Sequence, residues 1–132
     1  MPAVSPLEPG ISRQDAFVVE GRLLTDVGGT LRVPVLSTPG MIAMMERNAS
    51  LLARGELPEG KGTVGFEVCV KHVAGAGEGA RCTVSAKLRE VDGRKLRFEV
   101  EVRDGERTIG VGTHERRVVD LGQHAERVGR GA

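Results

Sequence analysis

Tryptophan and tyrosine are absent from this 132-residue chain, and phenylalanine occurs only three times. So few rings provide no stacking platform of the kind that holds single-stranded nucleic acid or sugars. The core must instead be built from Val, Leu, Ile, Ala and Met. An excess of one charge is missing too: 19 Lys+Arg face 18 Asp+Glu, a net charge of +1. A protein held on nucleic acid by bulk charge shows a basic excess or stripe, so nucleic acid is not an expected partner. No apolar run approaches the roughly 18–20 residues of a membrane span. Met1-Pro2-Ala3-Val4-Ser5-Pro6 has no basic segment leading into an apolar one, as a secretory signal would. Neither a membrane partner nor export is expected. Cysteine is scarce as well. Cys69 and Cys82 form no CxxC and no zinc spacing, read as small strand side chains, and fit a reducing cytoplasm.

What is present is the composition of one soluble domain, 39% hydrophobic and 28% charged, with 19 glycines. Residues 1–14 contain Pro2, Pro6, Pro9 and Gly10 and read as a flexible lead-in. Ala16–Thr25, rich in Val and Leu, reads as the first strand, broken by Gly28-Gly29-Thr30. Leu31–Leu36 then crosses back toward a helix. Thr38 before Pro39 reads as an N-cap followed by proline at the first helical position. Met41, Ile42, Met45, Ala49 and Leu52 give that helix one apolar face. Gly55 and Leu57-Pro58 end it.

After Gly60-Lys61-Gly62 the period changes to 2. Val64, Phe66, Val68, Val70 and His72 share one face of a strand, and Cys82, Val84, Ala86 and Leu88 share one face of the next. Leu96, Phe98, Val100 and Val102 point inward on a third, and Thr108–Asp120 is the last. Asp92-Gly93 and Asp104-Gly105 mark hairpins. The domain spans residues 15–120, with 121–132 a polar tail that frays or ends in a short helical turn. One helix packed on an antiparallel sheet is an α+β arrangement. One helix cannot cover five long strands and their edges, so a homodimer is expected.

Three polar residues stand where chemistry is possible. Thr38 lies at the helix N-terminus, where free N–H groups favour an oxyanion or carbonyl oxygen; it could equally be only a cap. Glu46 sits at the margin of the apolar stripe. It is either a partly desolvated general base or a boundary carboxylate paired with Arg47 or Arg54. His72 closes its strand on the inward face, as a catalyst at a cleft or as a satisfied core residue. A hydroxyl, a carboxylate and an imidazole near one helix end suit hydrolysis of an activated acyl group. His124 falls in the tail. His114 lies on the strand face opposite Ile109, Val111 and Thr113, and both rank below His72. No HxxxH, CxxC or facial triad marks a metal site. Gly75-Ala76-Gly77-Glu78-Gly79 is a turn between strands and not a phosphate loop.

Val35-Leu36-Ser37-Thr38-Pro39-Gly40-Met41-Ile42-Ala43-Met44-Met45-Glu46 resembles the motif that opens the helix in fluoroacetyl-CoA thioesterase-like proteins of the hot-dog fold. Gly62-Thr63-Val64-Gly65 through Val70-Lys71-His72, and Gly110-Val111-Gly112-Thr113-His114-Glu115-Arg116, resemble that family's second and third motifs. The resemblance covers roughly residues 15–120. It implies a sheet wrapped around a long helix, an active site at a dimer interface, and hydrolysis of a short acyl-CoA thioester. CoA then enters as part of the substrate, with no separate cofactor. It further implies Thr38, Glu46 and His72 as the catalytic residues, Gly65 against the substrate carbonyl, and Arg116 near the substrate or CoA. Fluoroacetyl-specific members carry aromatic residues just before the threonine. Here Gly28-Gly29-Thr30-Leu31-Arg32-Val33 has none. A non-catalytic acyl-CoA-binding hot-dog protein is the main alternative. A hydratase ranks below it, since no Asp accompanies His72.

Overall fold

The structure, a computed structural model, describes residues 7–130. Residues 1–6 of the expected lead-in and 131–132 of the expected tail lie outside them. The chain runs β1 (Ser12–Val18), a 3-10 turn (Gly21–Leu23), β2 (Leu24–Thr25), β3 (Val35–Leu36) and α1 (Thr38–Arg54). It continues through β4 (Lys61–His72), β5 (Arg81–Asp92), β6 (Lys95–Asp104), β7 (Arg107–Asp120) and α2 (Leu121–Arg130). One antiparallel sheet has the order β1-β5-β6-β7-β4, and β2-β3 form a separate small ladder. All five strands of the main sheet touch α1.

The first strand differs from its sequence reading. Pairing begins at Ser12, opposite Lys87, and ends at Val18, so residues 12–14 are strand and not lead-in. The Val- and Leu-rich stretch beyond it breaks at Gly21, whose φ of +57° turns the chain. Both hairpins form, each shifted by one residue: Asp92 pairs with Lys95, and Asp104 with Arg107. The two-residue loops are therefore Gly93-Arg94 and Gly105-Glu106. Each glycine, at φ +62° or +63°, takes the first loop position that a type II′ turn reserves for positive φ.

The helix forms where its apolar period places it, with Met41, Met45 and Ala49 at most 1% exposed. Its cap, however, is Ser37. The Ser37 hydroxyl accepts the Gly40 N–H at 2.9 Å, and Thr38 becomes the first helical residue. Beneath α1 lie Val84, Ala86 and Leu88 of β5 and Leu96, Phe98, Val100 and Val102 of β6, all buried. Burying each large apolar side chain contributes about 1.5–3 kcal/mol. Asn48, also buried on this face, donates to Asp15 at 2.8 Å and ties α1 to β1.

Two irregularities decide which residues face the helix. Between Gly65 and Glu67 the β4–β7 register shifts, leaving Phe66 as an extra residue. Val68, Val70 and His72 keep the inner face, but before the bulge Gly65 and Thr63 replace Phe66 and Val64 there. Phe66 is consequently 60% exposed on the outer face, under the Arg117 guanidinium. A second shift, between Val102 and Arg103, makes Ile109 the extra residue in β7. Beyond it Gly110, Gly112, His114 and Arg116 stand opposite the inward Val102, Val100, Phe98 and Leu96. His114 thus lies in the core, 2% exposed.

Gly112 is a packing requirement. A Cβ there would collide with the Cys69 carbonyl and with Val70 Cα across the β4–β7 ladder, where no flexible side chain can yield. Gly112→Ala is expected to destabilise the fold by about 1–3 kcal/mol, read from the urea midpoint. An unchanged midpoint would contradict this packing.

Candidate active site

Releasing Thr38 from capping frees its hydroxyl. Pro39 has no N–H, Ser37 occupies the Gly40 N–H, and the Ser37 carbonyl takes that of Met41. The Thr38 amide is the donor of the first turn left for a ligand, at the positive end of the helix dipole. Thr38 Oγ1 lies 2.8 Å from His72 Nδ1, so the structure brings together two of the three expected residues. The proton balance follows from the tautomer. With Nε2 protonated, the hydroxyl donates to Nδ1, and His72 is placed to receive that proton. Among the described residues, His72 Nε2 is buried without a hydrogen-bond partner.

Glu46 belongs to a second cluster. Its side chain is 41% exposed, at the margin of the apolar stripe as expected, and Oε2 lies 3.9 Å from Arg116 Nη1. A Cβ on Gly65 would stand 2.7 Å from the same Oε2 and 3.5 Å from Arg116 Nη1. Arg116 is 7% exposed. Its Nε donates to Thr63 Oγ1 at 2.7 Å and its Nη2 to the Thr63 carbonyl at 3.1 Å. Burial pulls the Arg116 pKa down from its ordinary value, and the Glu46 charge opposes that. Neither Arg47 nor Arg54 forms an ion pair with Glu46 among the described contacts; Arg116 does.

Within one chain the two clusters do not meet. Thr38 and Glu46 are eight residues apart on α1, about 12 Å of helical rise. His72 ends β4 and Gly65 lies seven residues earlier, about 20 Å away along the strand. Two cavities lie elsewhere. One of about 610 Å³ sits on the outer sheet face by Ser85, Glu101 and Thr113, and one of about 230 Å³ between β1 and α1. Neither is lined by Thr38, Glu46 or His72, which follow the open β4 edge of the sheet.

The functional-site neighbour that the sequence reading passed over is His114, which touches Arg116 at 3.1 Å. Its alternation with Ile109 and Val111 pointed outward, because nothing in the residues marks the extra position at Ile109. Its inward place shows only in the pairing with Phe98, which the extra residue at Ile109 sets.

A family model described as fluoroacetyl-CoA-specific thioesterase (FlK) matches residues 19–121. The chain belongs to this family. A curated relative, the fluoroacetyl-CoA thioesterase of Streptantibioticus cattleyicolor, is 40% identical over 87 residues. That match covers 66% of this chain and 63% of the relative, so it spans less than two thirds of that enzyme. The solved structure of the fluoroacetyl-CoA thioesterase FlK superposes with a TM-score of 0.88 at 30% identity, covering 97% of this chain and 99% of that one. A hot-dog-like protein from Thermanaerovibrio acidaminovorans gives 0.85 at 25% identity, over 94% and 93%. The fold is the hot-dog fold expected from the sequence. In the segment before Thr38 the exposed apolar residues are Val27, Leu31 and Val33, and none is aromatic.

Proposed function

We propose that the protein is an acyl-CoA thioesterase, hydrolysing a short acyl-CoA to the free acid and CoA. The observation that carries this reading is the 2.8 Å contact between Thr38 Oγ1 and His72 Nδ1 at the N-terminus of α1, in a chain of this family. Hydrolysis adds water across the C–S bond. His72 accepts the proton from a water that the Thr38 hydroxyl orients, or from that hydroxyl itself, in which case the Thr38 ester that replaces the C–S bond is then cleaved by water to the free acid. The Thr38 amide and the helix dipole stabilise the oxyanion. The thiolate is a good leaving group and needs little acid assistance. CoA arrives as part of the substrate, and no step calls on a metal or a separate cofactor.

The proposed assembly is a homodimer. Strand β4 is an edge strand of twelve residues, bonded along one side to β7, and an unprotected edge of that length recruits another strand. Pairing two β4 edges antiparallel about Val68 sets His72 of one copy opposite Val64, next to Gly65, of the other. That pairing joins each Thr38–His72 pair to Glu46 of the partner subunit, where the carboxylate serves as base or orients water. Arg116, tied on several sides, holds that carboxylate. The free thiols of Cys69 and Cys82 support a reducing, cytoplasmic setting. An aliphatic segment before Thr38 favours small unsubstituted acyl groups over recognition of fluoroacetyl by aromatic contact.

Two measurements test the proposal. Thiol release from a series running from acetyl-CoA to medium-chain and aryl thioesters is expected to show turnover, strongest on short chains. Tight CoA binding with no turnover on any of them would assign the protein to the ligand binders. Sedimentation at micromolar concentration is expected to give a dimer, and a clean monomer would remove the composite site.

A further inference from the structure

We propose that His114 is a positioning residue for Glu46: its ring fixes both the Arg116 guanidinium and the β4 bulge that presents Gly65. The inference rests on the thioesterase reading above and extends it to a residue with no contact to substrate. Arg116 Nη1 lies 3.1 Å from His114 Nε2, and His114 Nδ1 lies 2.8 Å from the Glu67 carbonyl. A guanidinium has donors only, so Nε2 must accept. Nδ1 then carries the proton and donates to Glu67, the residue at which the register resumes after the bulge. One neutral tautomer satisfies both bonds.

The ring has no freedom to serve otherwise. It stacks on Phe98, with centroids 6.3 Å apart and planes 29° apart, and is 2% exposed. Its charged neighbours are Arg116 on β7 and Glu46 on α1. Burial pulls its pKa below the ordinary imidazole value, and Arg116 adds to this; the Glu67 carbonyl and Glu46 act in the opposite direction. Protonating Nε2 would set two donors face to face and release the guanidinium. The position over Gly65 shows what the arrangement serves. A Cβ there would meet Glu46 Oε2, Arg116 Nη1 and His114 Cε1, at 2.7, 3.5 and 3.7 Å. Three side chains from two elements thus converge on one bulge residue.

The test uses His114→Asn, which keeps a donor near Nδ1 and loses the acceptor for Arg116. Its counterpart, His114→Gln, places an acceptor near Nε2. We expect His114→Asn to lower kcat about tenfold or more with KM within about threefold, and His114→Gln to recover most of the loss. In a Glu46→Gln background, His114→Asn is expected to change kcat no further, because the two act on one group. Wild-type turnover with His114→Asn within twofold of it, or additive effects in the Glu46→Gln background, would overturn the positioning role alone. Absence of wild-type turnover would overturn the thioesterase reading, and this inference with it. Imidazole ¹⁵N shifts of the wild-type protein give a readout that needs no variant to fold. They are expected to show His114 neutral with the proton on Nδ1, and the Nε2-protonated form would refute the proposed contact.

Discussion

Thr38→Ala is expected to lower kcat for short acyl-CoA hydrolysis about a hundredfold or more while leaving the fold intact. The hydroxyl is exposed, supports no cap, and has His72 Nδ1 as its partner at 2.8 Å. On the proposed mechanism, removing it takes away the nucleophile or the group that orients water, and it leaves no buried polar atom stranded on the Thr38 side. His72→Ala is expected to cost as much. The double variant should be no worse than the weaker single one, since the two residues act as a unit. Ser37→Ala is the matched control one residue away. It loses the bond to Gly40 N, which costs about 1 kcal/mol of stability as a lost N-cap does, and it keeps the Thr38–His72 pair. Melting temperature should therefore fall for Ser37→Ala and not for Thr38→Ala, with turnover showing the reverse. Full activity in both Thr38→Ala and His72→Ala would remove this pair from the mechanism.

Gly65→Ala is expected to lower kcat by a similar factor, about 10²-fold, by a different route. The added methyl would stand 2.7 Å from Glu46 Oε2, inside contact distance. The carboxylate is the end of a flexible side chain, so it moves and the backbone does not. It leaves Arg116 Nη1, which lies 3.9 Å away, and loses its aim. Stability is expected to change by less than about 1 kcal/mol, because a residue with a Cβ is at no disadvantage in a strand. This separates it from Gly112→Ala, where backbone atoms collide and stability is the property lost. Glu46→Gln should reproduce the kinetic effect without the added volume. A Gly65→Ala enzyme with wild-type kcat would show that the position of the carboxylate does not matter to turnover.

The parts of the molecule that sequence reading reached are those where one local rule acts alone. Met41, Met45, Ala49 and Leu52 recur at helical spacing, so α1 was legible. Leu96, Phe98, Val100 and Val102 alternate without interruption, and β6 was legible with its inner face. The cap was misplaced by one residue because Ser37 and Thr38 are both good capping residues, and only the bond to Gly40 separates them. The start of β1 falls outside the expected strand because its first four residues, Ser12 to Asp15, are polar, as an edge strand can be. The apolar run after it is broken by the positive φ of Gly21. Bulges were the largest obstacle. One extra residue at Phe66 and one at Ile109 reverse the inward set on part of β4 and β7, and no residue type announces them. Thr38, Glu46 and His72 could be singled out one at a time from their placement. That Glu46 stands apart from the other two within a chain depends on the rise of α1 and the length of β4, which become informative only once the elements are assembled.

Subunit complementation tests the central claim, a thioester hydrolase whose site is shared between two copies, most directly. Thr38→Ala and Glu46→Gln proteins, each about a hundredfold impaired alone, are unfolded together, refolded as a mixture and assayed for thiol release from acetyl-CoA. In a mixed dimer one site would pair an intact Thr38–His72 with an intact Glu46, and the other would carry both substitutions. Random pairing makes half the dimers mixed, so the account predicts about a quarter of wild-type turnover. A mixture no more active than its two components would contradict it.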